Sequence, residues 1–470
     1  MSRDTIFSKA VPAPELTACQ EPEPGMSPPD RPNTDLPEPA EPVPPQPEGA
    51  ASPGPAGATD FRYAGTLKIS VVSSVGLIPV ENATVAVSYT GDPDSPLQVL
   101  TTDSSGQTPV TELAAPPLEL SLNPDAAQQP YSEYNISVTA EGYEPVYVSG
   151  SEILANELSL QIIRMNPLAA TDEEEKVVTI PAHTLWGEYP PKIPEDEIKP
   201  MAETGEIVLS RVVVPEYVIV HDGAPGDTSA PNYWVRYRDY IKNVASCEIY
   251  STWPESAIYA NVLAIQSFTL NRVYTEWYRN QGYNFTITSS TAYDQKWVYG
   301  RNIYQNIDYL VDTIFANYLS RPGVRQPIFT SYCDGNRVTC NGLSQWGSKY
   351  LGDQGYSAIE IIRYYYGNDM YINTADIISG VPSSWPGYDL GIGASGDKVR
   401  QLQTQLNRIA RNYPSIPTIA ADGIYGPGTA EAVRTFQGIF NLPQTGVTDY
   451  PTWYEISEIY VGVSRISEPG

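Results

Sequence analysis

Residues 239–278 read DYIKNVASCEIYSTWPESAIYANVLAIQSFTLNRVYTEWY, and two helical patterns meet in them. In the first, Ile241, Val244, Ala245 and Glu248 stand at i, i+3, i+4 and i+7, one face of a helix. A glutamate therefore closes an otherwise apolar stripe. Burial disfavours the charged form of a carboxyl group, and a glutamic acid that keeps its proton near neutral pH can serve as a general acid. The plain alternative is a solvated glutamate at a frayed helix end. The second pattern opens at Thr252-Trp253-Pro254-Glu255, where Thr252 and Glu255 have capping-box spacing and Pro254 suits a first helical turn. Ile258, Val262, Leu263, Ile265, Phe268 and Leu270 then cover most sides of the helix, as in a domain core. Glu255 is read as a cap rather than as a second catalytic carboxylate.

Outward from this centre the chain changes character several times, and the fold class expected is multidomain α+β. Residues 1–60 are rich in Pro, Glu and Ala and bury too little surface to offset ordering entropy, so a disordered tail is expected. Residues 61–166 alternate apolar and polar positions in TLKISVVS, ATVAVSYT, LELSLN, YNISVTAE and ELSLQIIR, which predicts a β-sandwich. Residues 167–206, with the acidic run Asp172 to Glu175 and many prolines, read as a linker. The central domain spans 207–380, with a further helix from about Ile307 to Leu319, a strand PIFTSYC and a glycine-punctuated loop region after it. Residues 388–460 form a small helical unit, with stripes at Val399, Leu402, Leu406 and Ile409 and at Ala432, Val433, Phe436 and Ile439. Thr429 is expected to cap its second helix.

Composition narrows the function classes. With 55 acidic and 28 basic residues the formal charge is −27, which argues against nucleic acid and anionic membranes as partners. No stretch reaches the roughly 18 to 20 apolar residues of a membrane span. The start, MSRDTIFSKAVPAPELTACQ, lacks the apolar region of a signal peptide, which leaves the export route open. Only His183 and His221 exist, excluding a histidine-rich metal site, and His221 reads as a surface or turn residue. Four cysteines do not make a disulfide framework at this size. Cys333 and Cys340 leave three states open: a disulfide, free thiols, or a zinc clip needing about two further ligands. No cofactor is otherwise expected, and nothing here sets an oligomeric state.

Three resemblances follow from the motifs. The run Tyr240-Ile241-Lys242-Asn243-Val244 to Glu248, then WPESA, Asp294-Gln295, Val298-Tyr299-Gly300 and Gly342-Leu343-Ser344-Gln345-Trp346-Gly347, resembles the stage II sporulation protein D/LytB-type family over about 160 residues. The resemblance implies action on peptidoglycan as a lytic transglycosylase, with Glu248 as catalytic acid and Asp294, Gln295, Tyr299, Ser344, Gln345 and Trp346 on the substrate side. Asp294 also fits a turn, and Ser344 and Gln345 also fit loop backbone. There are departures: the family helix carries arginine and tyrosine where this chain has Gln266 and Phe268, and some clostridial members bind zinc with Cys and His where this loop has Cys333 and Cys340 alone. Residues 388–460, with Leu402-Gln403, Asp422-Gly423, Phe436-Gln437 and Thr445-Gly446, resemble the three-helix peptidoglycan-binding module. Residues 61–166 resemble the carboxypeptidase regulatory-like domain, in which such residues are turns and core.

Most glycosidases need two carboxylates about 5 to 9.5 Å apart. A lytic transglycosylase manages with one, so a lone Glu248 favours non-hydrolytic cleavage of glycan strands. The expected function is peptidoglycan binding and strand cleavage in cell-wall or spore-envelope remodelling. The alternative is a non-catalytic wall or envelope protein that assists another hydrolase, which the missing arginine would suit.

Overall fold

The computed structural model describes residues 63–168, 176–199 and 209–464; the stretch read as a tail and the run Asp172 to Glu175 lie outside them. Strands β1 (Ala64–Ser73), β2 (Thr84–Tyr89), β3 (Gln98–Thr101), β4 (Thr111–Ala114), β5 (Ser132–Thr139), β6 (Val146–Ile153), β7 (Leu158–Met165) and β8 (Lys176–Thr179) make two sheets. One runs β3-β2-β5-β6-β8; the other runs β7-β1-β4 and is extended beyond β7 by Ile303–Tyr304. Alternate residues of β1, Leu67, Ile69 and Val71, are fully buried against Val85, Ile136 and Val148, as the two-residue period of a strand requires. Three expectations need correction here. LELSLN is not a strand but a short helix, α1 (Leu118–Leu122). Pro116 and Pro117 precede it; proline offers no ladder N–H and its fixed φ suits a helix start. Lys176–Thr179, inside the stretch read as a linker, is paired in parallel with β6. And the sandwich sheet takes its last strand from the central domain, with Ile303 opposite Leu160.

The central domain is built on a three-stranded sheet, β9 being the separate pair member Val213–Val214 and the sheet running β11 (Asn232–Arg236), β10 (Tyr217–His221), β12 (Ile287–Thr288). Helix α2 (Tyr237–Glu248) buries Ile241, Val244 and Ala245 completely, and α3 (Glu255–Tyr274) is buried on nearly every side. Helices α4 (Gln305–Ile314), α5 (Gln345–Asp353) and α6 (Ala358–Tyr366) pack around α3. The capping box expected of Thr252 and Glu255 is not formed; the Thr252 hydroxyl donates instead to Ser121 of α1, and Trp253 donates to the Ser121 carbonyl, which docks the sandwich on the start of α3. The helix expected to reach Leu319 stops at Ile314, because Asn317–Ser320 pairs with Tyr371–Thr374. Of PIFTSYC only Tyr332–Cys333 is a strand. His221 is buried, its Nδ1 hydrogen-bonded to Asn232 and its ring stacked 4.5 Å from Phe285.

Helices α7 (Asp397–Ile409), α8 (Pro427–Ile439) and α9 (Tyr450–Ser464) form the C-terminal unit. Its motif residues are structural. Gln403 accepts from the Gly423 N–H and donates to Asp422, Ile424 and Thr429; Gln437 does the same for Gly446, Thr445, Val447 and Thr452. Thr429 therefore sits within α8, whose cap is Gly426, and is not the N-cap expected. The unit is docked, not tethered. Arg238 of α2 bonds Asp312 of α4 and Glu455 and Glu458 of α9, while Lys242 bonds Asp308 and Asp312, all with little solvent access.

Candidate active site

Helix α2 stops at Glu248 because Ile249 turns to extended backbone. The freed Glu248 carbonyl accepts from the Gln345 side-chain amide at 3.0 Å, and the same amide reaches Glu248 Oε2 at 3.2 Å. One glutamine thus satisfies an orphan helix carbonyl and orients the carboxylate. The Lys296 main-chain N–H donates to Oε1 at 2.9 Å, and the Thr184 hydroxyl stands 3.5 Å from Oε2. Three separate stretches hold a side-chain carboxylate of a residue only 6% exposed. It borders a cavity of about 380 Å³ whose walls include Thr184, Tyr189, Lys192, Tyr332 and Gln345, within the size range of small-ligand sites.

Lys192 gives that cavity a cation. Its Nζ lies 4.8 Å from the Phe268 ring centre and 5.0 Å from that of Tyr332, and donates to the Asp294 carbonyl. Burial pulls its pKa down to about 8, against the raising influence of Glu248 and Asp294. Phe268 is thus one face of the lysine's seat. Gln266 donates to the Ile314 carbonyl on α4, and no hydrogen bond joins it to Glu248 among the described residues.

Cys333 and Cys340 are joined in a disulfide, with Cα atoms 6.1 Å apart, so the zinc and free-thiol states considered for them are not adopted. Asp334 folds the loop onto itself by accepting from the N–H groups of Asn336 and Val338. Arg337 then donates to the carbonyls of Thr184, Trp186 and Gly187, clamping the loop over the 184–192 stretch. Cys247, the free cysteine among the described residues, is buried, and burial pushes its pKa up to about 12. Among the described residues no cluster of three or more His, Cys, Asp or Glu is arranged to hold a metal.

The residues expected on the substrate side separate into groups. Gln345 joins Glu248 at the cavity. Asp294 is fully buried, and its oxygens accept from Arg272, Tyr278 and both donors of Thr288. Gln295 is buried behind the site, bonded to Tyr240, Thr269 and Ile265. Ser344 caps α5 by accepting from Gly347 N–H at 2.9 Å, and Trp346 packs on Tyr250 and Trp253. Tyr299 lines a different and larger cavity. Sequence reasoning missed Lys192, Thr184, Tyr189 and Arg337. The first three lie in the proline-rich stretch set aside as a linker, where HTLWGEYPPK carries more aromatic and apolar residues than a solvated connection needs.

Comparison with known proteins adds to this geometry. Residues 395–456 match the peptidoglycan binding domain family (PG_binding_1), so α7 to α9 form a peptidoglycan-binding domain. Over 77 residues the chain is 35% identical to the zinc D-Ala-D-Ala carboxypeptidase of Streptomyces albus G, a match covering 16% of this chain and 28% of that enzyme, well under two thirds of its length. Among solved structures, 5-hydroxyisourate hydrolase of Klebsiella pneumoniae aligns at 16% identity, covering 22% of this chain and 92% of that one, with a TM-score of 0.15. An NMR structure of a protein from Eubacterium rectale aligns at 10% identity over 25% and 98% of the two chains, with a TM-score of 0.14. Scores this low carry no conclusion about fold. No described helix is long and apolar enough to cross a membrane.

Proposed function

We propose that this peptidoglycan-binding protein cleaves glycan strands as a lytic transglycosylase in the cell wall or spore envelope, with Glu248 as its acid and base. The observation that carries the reading is a carboxylate held by Lys296 N–H and Gln345 at a cavity that also contains a lysine. In the first step Glu248 gives its proton to the glycosidic oxygen as the bond from that oxygen to C1 breaks. In the second, the same carboxylate takes the proton of the muramic residue's own primary hydroxyl, whose oxygen bonds to C1 and closes the anhydro ring. No water is consumed, and the carboxyl group returns to its starting state. Lys192 supplies positive charge beside the carboxylate, a role the arginine replaced by Gln266 would otherwise fill.

Other carboxylates near the cavity are differently placed. Asp334 is committed to the amides of its own loop. Glu188 lines the cavity from an exposed position and is the group a two-carboxylate hydrolysis would use. Glu248→Gln keeps the size of the side chain and the oxygen that accepts from the Lys296 N–H, but replaces the second acceptor and removes the acid. It is expected to abolish release of soluble fragments from purified sacculi at an unchanged melting temperature. Release at the wild-type rate contradicts the assignment of Glu248 as the acid; no release by the wild type itself leaves the chain a wall-binding protein.

A further inference from the structure

A second cavity, of about 890 Å³, is larger than the one at Glu248. It opens where three parts of the chain meet: β6 to β8 of the sandwich, edge strand β11 with the 297–303 segment, and the end of α9 at Val461 and Gly462. Aromatic rings crowd it. Tyr233 lies 4.9 Å from Tyr299 and 5.4 Å from Trp297, and Trp234 meets Tyr217 edge-on at 6.4 Å. Trp234 is 71% exposed, an unusual state for the largest apolar side chain.

Its lining is balanced in charge where the chain as a whole is acidic. Acidic residues outnumber basic ones 55 to 28 overall, while among the described residues the cavity is lined by Arg164, Lys176, Arg236 and Arg301 beside Glu216 and Asp239. Arg236 and Arg301 are neutralised by Glu458 and Glu152, and Arg164 faces Asp239 at 3.6 Å. Lys176 has no ion pair among the described residues; it donates to the Tyr299 hydroxyl and lies 4.7 Å from that ring's centre.

We propose that this cleft is a second glycan-binding site, taking the sugar rings of a peptide-free N-acetylhexosamine chain on its aromatic rings and the carboxylate of a lactyl substituent on Lys176. Rings with an apolar face and a polar tip suit sugars, which present C–H faces and hydroxyl edges. The ligand class follows from continuity: the cleft's far wall is the last helix of the peptidoglycan-binding domain, and every second sugar of the peptidoglycan glycan bears a lactyl group whose carboxyl is a free carboxylate wherever the stem peptide has been removed. The inference rests on that domain and not on cleavage at Glu248.

The test is calorimetric titration of the full chain carrying Glu248→Gln with soluble peptidoglycan glycan chains freed of stem peptides, with neutral chitotetraose in a parallel arm. Two classes of site are expected for the carboxylated glycan. Trp234→Ala is expected to weaken one class at least tenfold while sparing the other. Ile162→Arg, on the opposite wall at a 40% exposed position, should have the same effect by filling the cleft. Lys176→Met should reduce the preference for the carboxylated glycan over chitotetraose. A single class of sites unchanged by Trp234→Ala and Ile162→Arg overturns the proposal, as does equal binding of the two glycans that Lys176→Met leaves untouched. Neither outcome bears on catalysis, which the Glu248→Gln comparison decides separately.

Discussion

Lys192 is the residue whose environment makes the sharpest demand. Taking an ammonium out of water is costly, and two aromatic faces, one carbonyl and the nearby carboxylates return only part of it. The folded pKa of about 8 lies below the ordinary 10.5, so between those values the unfolded chain binds more protons than the folded one. Folding stability from this group therefore rises as pH climbs from 8 toward 10.5 and is lowest below 8. Lys192→Met removes the dependence. Between pH 7 and pH 10 the wild type is expected to gain about 2 to 3 kcal/mol relative to the variant in denaturant titrations. A constant difference across that range contradicts the assigned environment. Glu248 was legible in sequence because it completes an apolar stripe. Lys192 was not, because a lysine among prolines carries no periodicity and its burial is imposed by residues far away in the chain, Phe268 and Tyr332.

Among the elements, the Cys333–Cys340 loop sets the rim of the cavity, and its effect separates into a covalent and a polar part. Closing so short a loop removes roughly 2 to 3 kcal/mol of unfolded-state entropy. Replacing both cysteines by serine is expected to lower stability by about that amount and to slow glycan release, because Arg337 would then hold the 184–187 carbonyls from a mobile loop. Unchanged stability and unchanged release in the double variant remove the loop from the account. The two helices at the centre were legible from spacing, since α2 and α3 obey a helical period set by their own burial. Short elements were not: LELSLN alternates like a strand, but two prolines and its docking on Trp253 make it helical. Asp294 shows a further limit. Its residue type suits a site, yet Arg272, Tyr278 and Thr288 use both of its oxygens.

For the whole molecule, the domains read from composition are joined more closely than a chain of beads. Ile303–Tyr304 completes a sandwich sheet, Arg301 and Glu152 form a buried pair across the same boundary, and Arg238 and Lys242 tie α2 and α4 to α9. Sequence patterns report on the element that carries them, so a strand lent by one domain to another, or ion pairs between helices over 200 residues apart, leave no local trace. Buried pairs of this kind are costly to break singly, because the remaining charge is left unpaired. Thermal unfolding of the described core is therefore expected as one calorimetric transition; separate transitions for the sandwich and the C-terminal unit contradict this coupling. The docked arrangement also fixes how a bound glycan is presented, since the peptidoglycan-binding domain cannot swing freely about the cavity at Glu248.

The most direct measurement is mass spectrometry of the soluble products after the protein meets purified sacculi, both native and stripped of stem peptides. A single carboxylate acting first as acid and then as base predicts fragments ending in anhydro-muramic acid, absent with Glu248→Gln. Fragments with reducing ends would show that water attacks, which needs a second carboxylate such as Glu188, and release of no fragments from either substrate would show that the chain binds the wall without cutting it.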